Sequence, residues 1–251
     1  MITVDNLRKS FDGVSVLNDI SAVFEKGKTN LVIGQSGSGK TVFLKCLLGL
    51  FSPDSGTIKF DHSCLHEMSI KERSVLRHEI GMVFQGSALF DSMTVEENVM
   101  FPMKMFTRKS VEEMRELANK AIQRVNLHEA NFKMPNEISG GMKKRVAIAR
   151  AIVMNPKYLF CDEPNSGLDP KTSILIDELI CEITHEYNMT TVINTHDMNS
   201  VLQIGEKIIF LKQGHKEWEG NSKGILNSKN ESVTDFVFSS ELLKALRENT
   251  L

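Results

Sequence analysis

Eight residues, Gly34 to Thr41 (GQSGSGKT), constrain this chain more than any other stretch. They fit the spacing GxxxxGK[ST]. Leu31, Val32 and Ile33 precede them as a short strand-like run, and Val42 to Leu50 follows as a helix-like segment carrying Phe43, Leu44, Leu47 and Leu48. Gly34, Gly37 and Gly39 relieve the steric limits on the backbone, so successive N–H groups from Gly34 through Gln35, Ser36, Gly37, Ser38 and Gly39 can turn toward one anion at the positive end of the helix. In such a cradle Lys40 is expected to reach the β- and γ-phosphates of a nucleotide, the Thr41 hydroxyl to ligate Mg²⁺, and Val42 to follow in the first helical turn. A plain glycine turn with a surface lysine is the alternative. The strand, loop and helix context argues against it.

The chain has 251 residues, enough for one large α/β domain with a substantial core. Its formal net charge of −2 creates no general basic field, so no nucleic-acid partner is expected. Cys46, Cys64, Cys161 and Cys181 show no CxxC pairing and sit mostly in apolar runs, which suggests buried thiols in a reducing compartment. No apolar run approaches the ~18 to 20 residues that span a bilayer, and Asp5, Arg8, Lys9 and Asp12 make the first residues unlike a signal peptide. These features predict a cytoplasmic protein that meets a membrane through partners.

The first thirty residues alternate weakly (Ile2, Val4, Leu7; Val14, Val16, Leu17; Ile20, Ala22, Phe24), which predicts antiparallel strands with turns at Asp12-Gly13 and Lys26-Gly27. Phe11, in the turn region, offers an aromatic face to a purine base, with a hairpin-core role as the alternative. After a turn at Ser52 to Gly56, Thr57 to Phe60 reads as a strand, Ser69 to Arg77 as a helix, and Ile80 to Phe84 as a strand closed by Gln85. Gln85 can reach a metal or an attacking water with neutral polar atoms. Val111, Met114, Ala118, Ala121, Ile122 and Val125 recur at helical spacing, with Ser110 as N-cap. Residues 87–152 therefore read as an inserted helical subdomain within a core made of 1–86 and 153–221, with 222–251 as a C-terminal extension.

Ser139-Gly140-Gly141 opens a helix predicted over Met142 to Met154 and makes either a second anion site or an ordinary capped helix start. Tyr158 to Cys161 is a buried-strand run that delivers Asp162 and Glu163 to its C-terminal edge, where α/β sheets bind ligands. Alternation along the strand would send the two acids to different tasks: Asp162 to Mg²⁺ and Glu163 to the attacking water. A turn at Ser166 to Pro170, containing Asp169, leads to a helix predicted over Ile174 to Glu186. Thr191 to Ile193 reads as a strand ending near His196, which could hydrogen-bond a γ-phosphate. A hairpin around Gly214 follows, and the tail's Val233, Phe236, Val237, Phe238, Leu242, Leu243 and Leu246 argue for docking on some surface.

In this order the motifs resemble those of the ATP-binding subunits of ABC transporters, over about Ile2 to Trp218. The resemblance implies a P-loop NTPase fold of the α/β class, a RecA-like core with an antiparallel β-subdomain and the helical insertion. It implies Phe11 as the adenine-stacking aromatic, Gln85 as the Q-loop, ISGGM at 138–142 as the signature, Walker B ending at Asp162 and Glu163, Asp169 in the D-loop and His196 as the switch histidine. ATP and Mg²⁺ are the implied ligands, with Thr41, Gln85 and Asp162 around the metal. The family pairs two subunits head to tail, so Ser139 to Gly141 of one homodimer copy would close on the nucleotide of the other, beneath a multipass permease. The run QGSALFDSMTVEENVMFP at 85–102 together with ISGGM is similar to the ATPases of Mla and Mce type phospholipid transport systems, which implies a lipid-binding MCE partner. The alternative within transport is the ATPase of an importer of amino acids or another small polar solute. Met142 replaces the glutamine that commonly ends the signature, and Val42 stands where many relatives have a second hydroxyl. A soluble ABC ATPase acting outside transport would call for coiled-coil insertions or a basic surface, and neither is visible.

Overall fold

The computed structural model describes residues 1–238. The chain runs β1 (Ile2–Phe11), β2 (Val14–Phe24), β3 (Lys28–Ile33), α1 (Lys40–Leu47), β4 (Ser55–Phe60), β5 (Ser63–Cys64), α2 (Ile70–His78), β6 (Ile80–Val83), α3 (Val95–Phe106), α4 (Val111–Arg124), a 3₁₀ turn at Pro135–Glu137 and α5 (Gly140–Ile152). It continues with β7 (Tyr158–Asp162), α6 (Pro170–Glu186), β8 (Thr190–Thr195), α7 (Met198–Ile204), β9 (Lys207–Lys212), β10 (His215–Gly220), α8 (Ser222–Leu226) and α9 (Glu231–Val237). Two compact units share these elements. One comprises Met1–Glu25, Thr29–Met68 and the chain from Asn194 onward; the other comprises Lys26–Lys28 and Ser69–Ile193.

In the first unit an antiparallel sheet has the order β2-β1-β4-β5, with Ile2 opposite both Phe24 and Phe60. Ile2, Val4 and Leu7 alternate into its buried face, and Leu17, Ile20, Ala22 and Phe24 do so from β2. The Asp12-Gly13 turn forms as its sequence predicts, with φ of 48° and 78°. Lys26-Gly27 does not close a second hairpin. The strand that follows it, β3, instead runs parallel to β9 in another sheet, with β10 antiparallel beyond. Leu31, Val32 and Ile33 are fully buried, the continuous apolar run typical of a strand covered on both faces.

The expected docking of the tail is visible for its first part. Val233 and Val237 are fully buried, and the Phe236 ring lies 5.1 Å from that of Phe210 on β9. Leu242, Leu243 and Leu246 lie outside the described residues.

In the second unit the sheet order is β8-β7-β6, with β6 parallel to β7 from Ile80 opposite Tyr158 to Val83 opposite Cys161. A Cβ on Gly81 would lie 2.4 Å from the Ala151 carbonyl, so glycine lets α5 close tightly on β6. Residues 87–152 hold α3, α4, the 3₁₀ turn and α5, and no strand. Helices α2, α3 and α4 each begin with a capping box, made by Ser69 with Glu72, Thr94 with Glu97 and Ser110 with Glu113. Met114, Ala118, Ala121 and Ile122 form the buried stripe of α4. Helix α6 starts at Pro170, four residues before the apolar pattern begins, because Asp169 caps it and proline suits the first helical position. Among the described residues no helix is long and apolar enough to cross a membrane.

Candidate active site

The first unit holds Phe11, the loop from Gly34 to Val42, and His196. Gly34 follows β3 directly. A Cβ there would meet the Leu211 carbonyl at 2.2 Å and Ser38 Oγ at 2.7 Å, so no other residue fits. Gly39 opens α1 with φ 103° and leaves the helix with no side-chain cap. The N–H groups of that first turn therefore remain for an anion. Lys40 is 9% exposed, and its Nζ donates to the carbonyls of Gly34 at 2.7 Å and Gln35 at 3.0 Å. The loop is stitched to its surroundings: the Gly214 N–H donates to the Ser38 carbonyl at 3.1 Å, and the Asn18 N–H to the Gly214 carbonyl at 2.8 Å. Ser38 Oγ is buried with no hydrogen-bond partner among the described residues, a donor aimed into the loop. Gln35, Ser36, Gly37 and Thr41 are exposed, and Val42 is half-buried. An uncapped helix start, an orphan hydroxyl, a folded-back ammonium and an exposed Thr41 hydroxyl fit a phosphate chain with its Mg²⁺.

Phe11 ends β1 at 38% exposure, so it is not a core residue. Phe51 meets it edge-on at 5.2 Å, and Lys9 Nζ lies 5.1 Å from its ring centre. His196 is exposed immediately after β8 and precedes Asp197, the N-cap of α7.

The second unit holds Gln85, Ser139 to Gly141, Asp162, Glu163 and Asp169. β7 ends at Asp162, and Glu163 takes a left-handed φ of 47°. The expected strand alternation thus stops one residue early. The two acids diverge through a sharp turn of the backbone and not through the pleat. Gln85 Nε2 donates to Ser166 Oγ at 3.3 Å, which brings the residue after β6 to the turn after β7. The Asp169 carboxylate accepts from the Thr172 N–H at 3.0 Å, and hydrogen bonds from the Thr172 hydroxyl first and its N–H second hold it below the usual carboxylate range. Ser139 likewise caps α5, accepting from the Met142 N–H at 3.2 Å, which leaves its hydroxyl able to donate to another group. A Cβ on Gly141 would lie 2.7 Å from Thr172 Cγ2, which places the starts of α5 and α6 side by side.

Two cations on α5 have roles that the sequence alone does not assign. Lys144 is 4% exposed; its ammonium donates to the Gln85 carbonyl, and burial lowers its pKa. Arg150 donates to the carbonyls of Ser87 and Ala88, each at 2.7 Å. The available signal was a lysine in helical register with Ile148 and Ile152 on a buried face. Asn98, fully buried on α3, was also missed. Its Oδ1 accepts from the Phe90 N–H at 2.8 Å, and its Nδ2 donates to the carbonyls of Phe90, Met93 and Thr94 at 3.0 to 3.1 Å. Beside this loop lies an apolar groove of about 430 Å³ whose lining includes Met82, Phe84, Ala88, Phe90, Phe101 and Arg150.

The ABC transporter family matches residues 17–166, more than half of the chain. The chain belongs to that family. It is 36% identical over 236 residues to the probable ribonucleotide transport ATP-binding protein mkl of Mycobacterium leprae, covering 94% of this chain and 68% of that one. It is 39% identical over 238 residues to the arginine transport ATP-binding protein ArtM of Bacillus subtilis, covering 94% of this chain and 98% of ArtM. Among solved structures, the dimeric ABC transporter cassette MJ0796 superposes with a TM-score of 0.80 at 34% identity, covering 89% of this chain and all of that one. The same cassette has been solved in a post-hydrolysis state with ADP and Pi. This chain is accordingly an ABC ATPase with the P-loop fold, and ATP with Mg²⁺ is its ligand. Cassettes of the family work as dimers with membrane permease subunits.

Proposed function

We propose that this chain powers an importer of amino acids or another small polar solute, as a head-to-tail homodimer on the cytoplasmic face beneath a multipass permease. The relatives' names carry the choice of solute class, since ribonucleotide and arginine transport are what those proteins are named for. A second reading, phospholipid transport with an MCE partner, is favoured by the run at 85–102 and by Met142 in the signature.

The chemistry divides among the residues already placed. The N–H groups of Gly34 to Thr41 and the Lys40 ammonium bind and neutralise the phosphate chain. Thr41, Asp162 and Gln85 would hold Mg²⁺, which supplies charge neutralisation on the phosphate oxygens. Glu163 polarises the attacking water and His196 hydrogen-bonds the γ-phosphate. Phe11 stacks on the base, while Ser139, Gly140 and Gly141, with Asp169 behind them, serve the nucleotide of the second copy. The apolar groove beside Phe84, Phe90 and Phe101 is the surface for the permease.

The deciding experiment purifies the chain with the membrane protein encoded beside it and measures ATP turnover with polar solutes and with phospholipid vesicles. Stimulation by an amino acid or nucleotide supports the importer. Co-purified phospholipid with stimulation by vesicles alone replaces it with the second reading.

A further inference from the structure

We propose that Lys144 and Arg150 are positioning residues that fasten the loop after Gln85 to α5, so that this loop and the helix beginning at Ser139 shift as one piece. The inference rests on the ATPase reading above and concerns how two of its motifs are mechanically joined.

The loop from 85 to 94 is held along its length. At its start, the carbonyls of Gln85, Ser87 and Ala88 accept from Lys144 and Arg150. At its end, Asn98 takes the peptide groups of Phe90, Met93 and Thr94. Ser87 and Ala88 both adopt left-handed φ, 62° and 47°. That conformation is unfavourable for residues with a Cβ and persists where surrounding bonds over-determine it. The Arg150 guanidinium supplies such bonds, with a planar fork on two successive carbonyls.

The burial of Lys144 points the same way. An ammonium removed from water is costly, and a methionine of similar volume would fill the space without that cost. Its hydrogen bond goes to the Gln85 carbonyl, with the Glu163 carboxylate adding a coulombic attraction, so a methionine there would release that carbonyl. Lys144 and Arg150 are six residues apart on α5, about 9 Å along a rigid helix. Between them they hold residues 85 to 88. Ala88, Phe90 and Arg150 also line the apolar groove, so a body seated there presses on the fastened loop and on its fastener together. At the other end of the same helix Ser139 makes the cap. Displacement at the groove is thereby transmitted to Ser139 without slack.

Hydrogen exchange read by mass spectrometry on the full chain, with and without ATP and Mg²⁺, in a Glu163→Gln background that holds nucleotide, tests this. In the parent, ATP should slow exchange in 34–41, and in 86–93 and 139–146 together. In Lys144→Met and in Arg150→Met, exchange at 86–93 should be about tenfold faster and should no longer follow 139–146. Lys144→Arg, which keeps a donor, should restore the parent pattern. Should Lys144→Met not fold, Arg150→Lys keeps the charge but loses the fork and should still free 87–90. The inference is overturned if 86–93 follows 139–146 as in the parent in the folded variants, or if Lys144→Arg behaves as Lys144→Met. Absence of protection at 34–41 in the parent would instead defeat the nucleotide reading itself.

Discussion

Lys40 reaches back across its own loop to the carbonyl of Gly34, 2.7 Å from its ammonium. The phosphate loop therefore carries its cation folded inward and buried, ready to exchange carbonyl oxygens for phosphate oxygens. Replacing Lys40 with alanine removes a charge-assisted contact worth about 1.5–3 kcal/mol, so nucleotide affinity should fall by about 10- to 100-fold. Titration with a fluorescent ATP analogue measures this, and an unchanged Kd would reject the cradle.

Glu163 sits in a left-handed turn at the end of a buried strand, a costly conformation for a residue with a Cβ. Glu163→Gln preserves shape while removing the base. ATP binding should persist while phosphate release falls by about 10²- to 10⁴-fold, and size-exclusion with light scattering should show a dimer in ATP and Mg²⁺. Turnover close to that of the parent would end the assignment.

The first part of the tail docks within its own unit: Phe236 lies 5.1 Å from Phe210, with Val233 and Val237 buried beside it. Phe236→Ala should lower stability by about 3 kcal/mol, seen as a fall in Tm. The ATP-dependent dimer of the Glu163→Gln form should be unaffected by it.

Three helices depend on carboxylates as lids. Hydrogen bonds from Ser69, Thr94 and Ser110 hold Glu72, Glu97 and Glu113 below the ordinary glutamate value of 4.5. A depressed carboxylate stabilises the fold above its unfolded value, and that stability is lost as pH falls through the folded value. Helical signal by circular dichroism should therefore decline below about pH 4.5, and Thr94→Ala, costing about 1 kcal/mol at neutral pH, should blunt the response for α3.

Most of the strands, helices and motifs were legible because they are written locally, in apolar period, caps and glycines. Three things were not, two because their partners are distant in sequence and one because a backbone turn is not written in residue type. The turn at Lys26-Gly27 reads as a hairpin until β3 is seen to pair with β9, and the Gly27 N–H to bond the Met189 carbonyl at 2.7 Å. Lys144 carries no assignable role until its acceptor, 59 residues away, is known. The end of β7 at Asp162 depends on a backbone turn that Glu163 does not announce by residue type. Solute identity is illegible for another reason, since the residues of an ATPase cassette handle nucleotide and permease but not cargo.

The crowding around Gly34 has a further consequence. A single added carbon would collide there with Leu211, and at Gly39 with Leu17, whereas at Gly37 it would meet nothing within 4 Å. Within one eight-residue loop, Gly34 is closed by a backbone carbonyl, Gly39 by its φ of 103° with a Leu17 methyl and the Val16 carbonyl close by, and Gly37 by its backbone angle alone. A mutational scan of the loop's glycines should thus separate into two grades of intolerance, with Gly37 the glycine that best accepts asparagine.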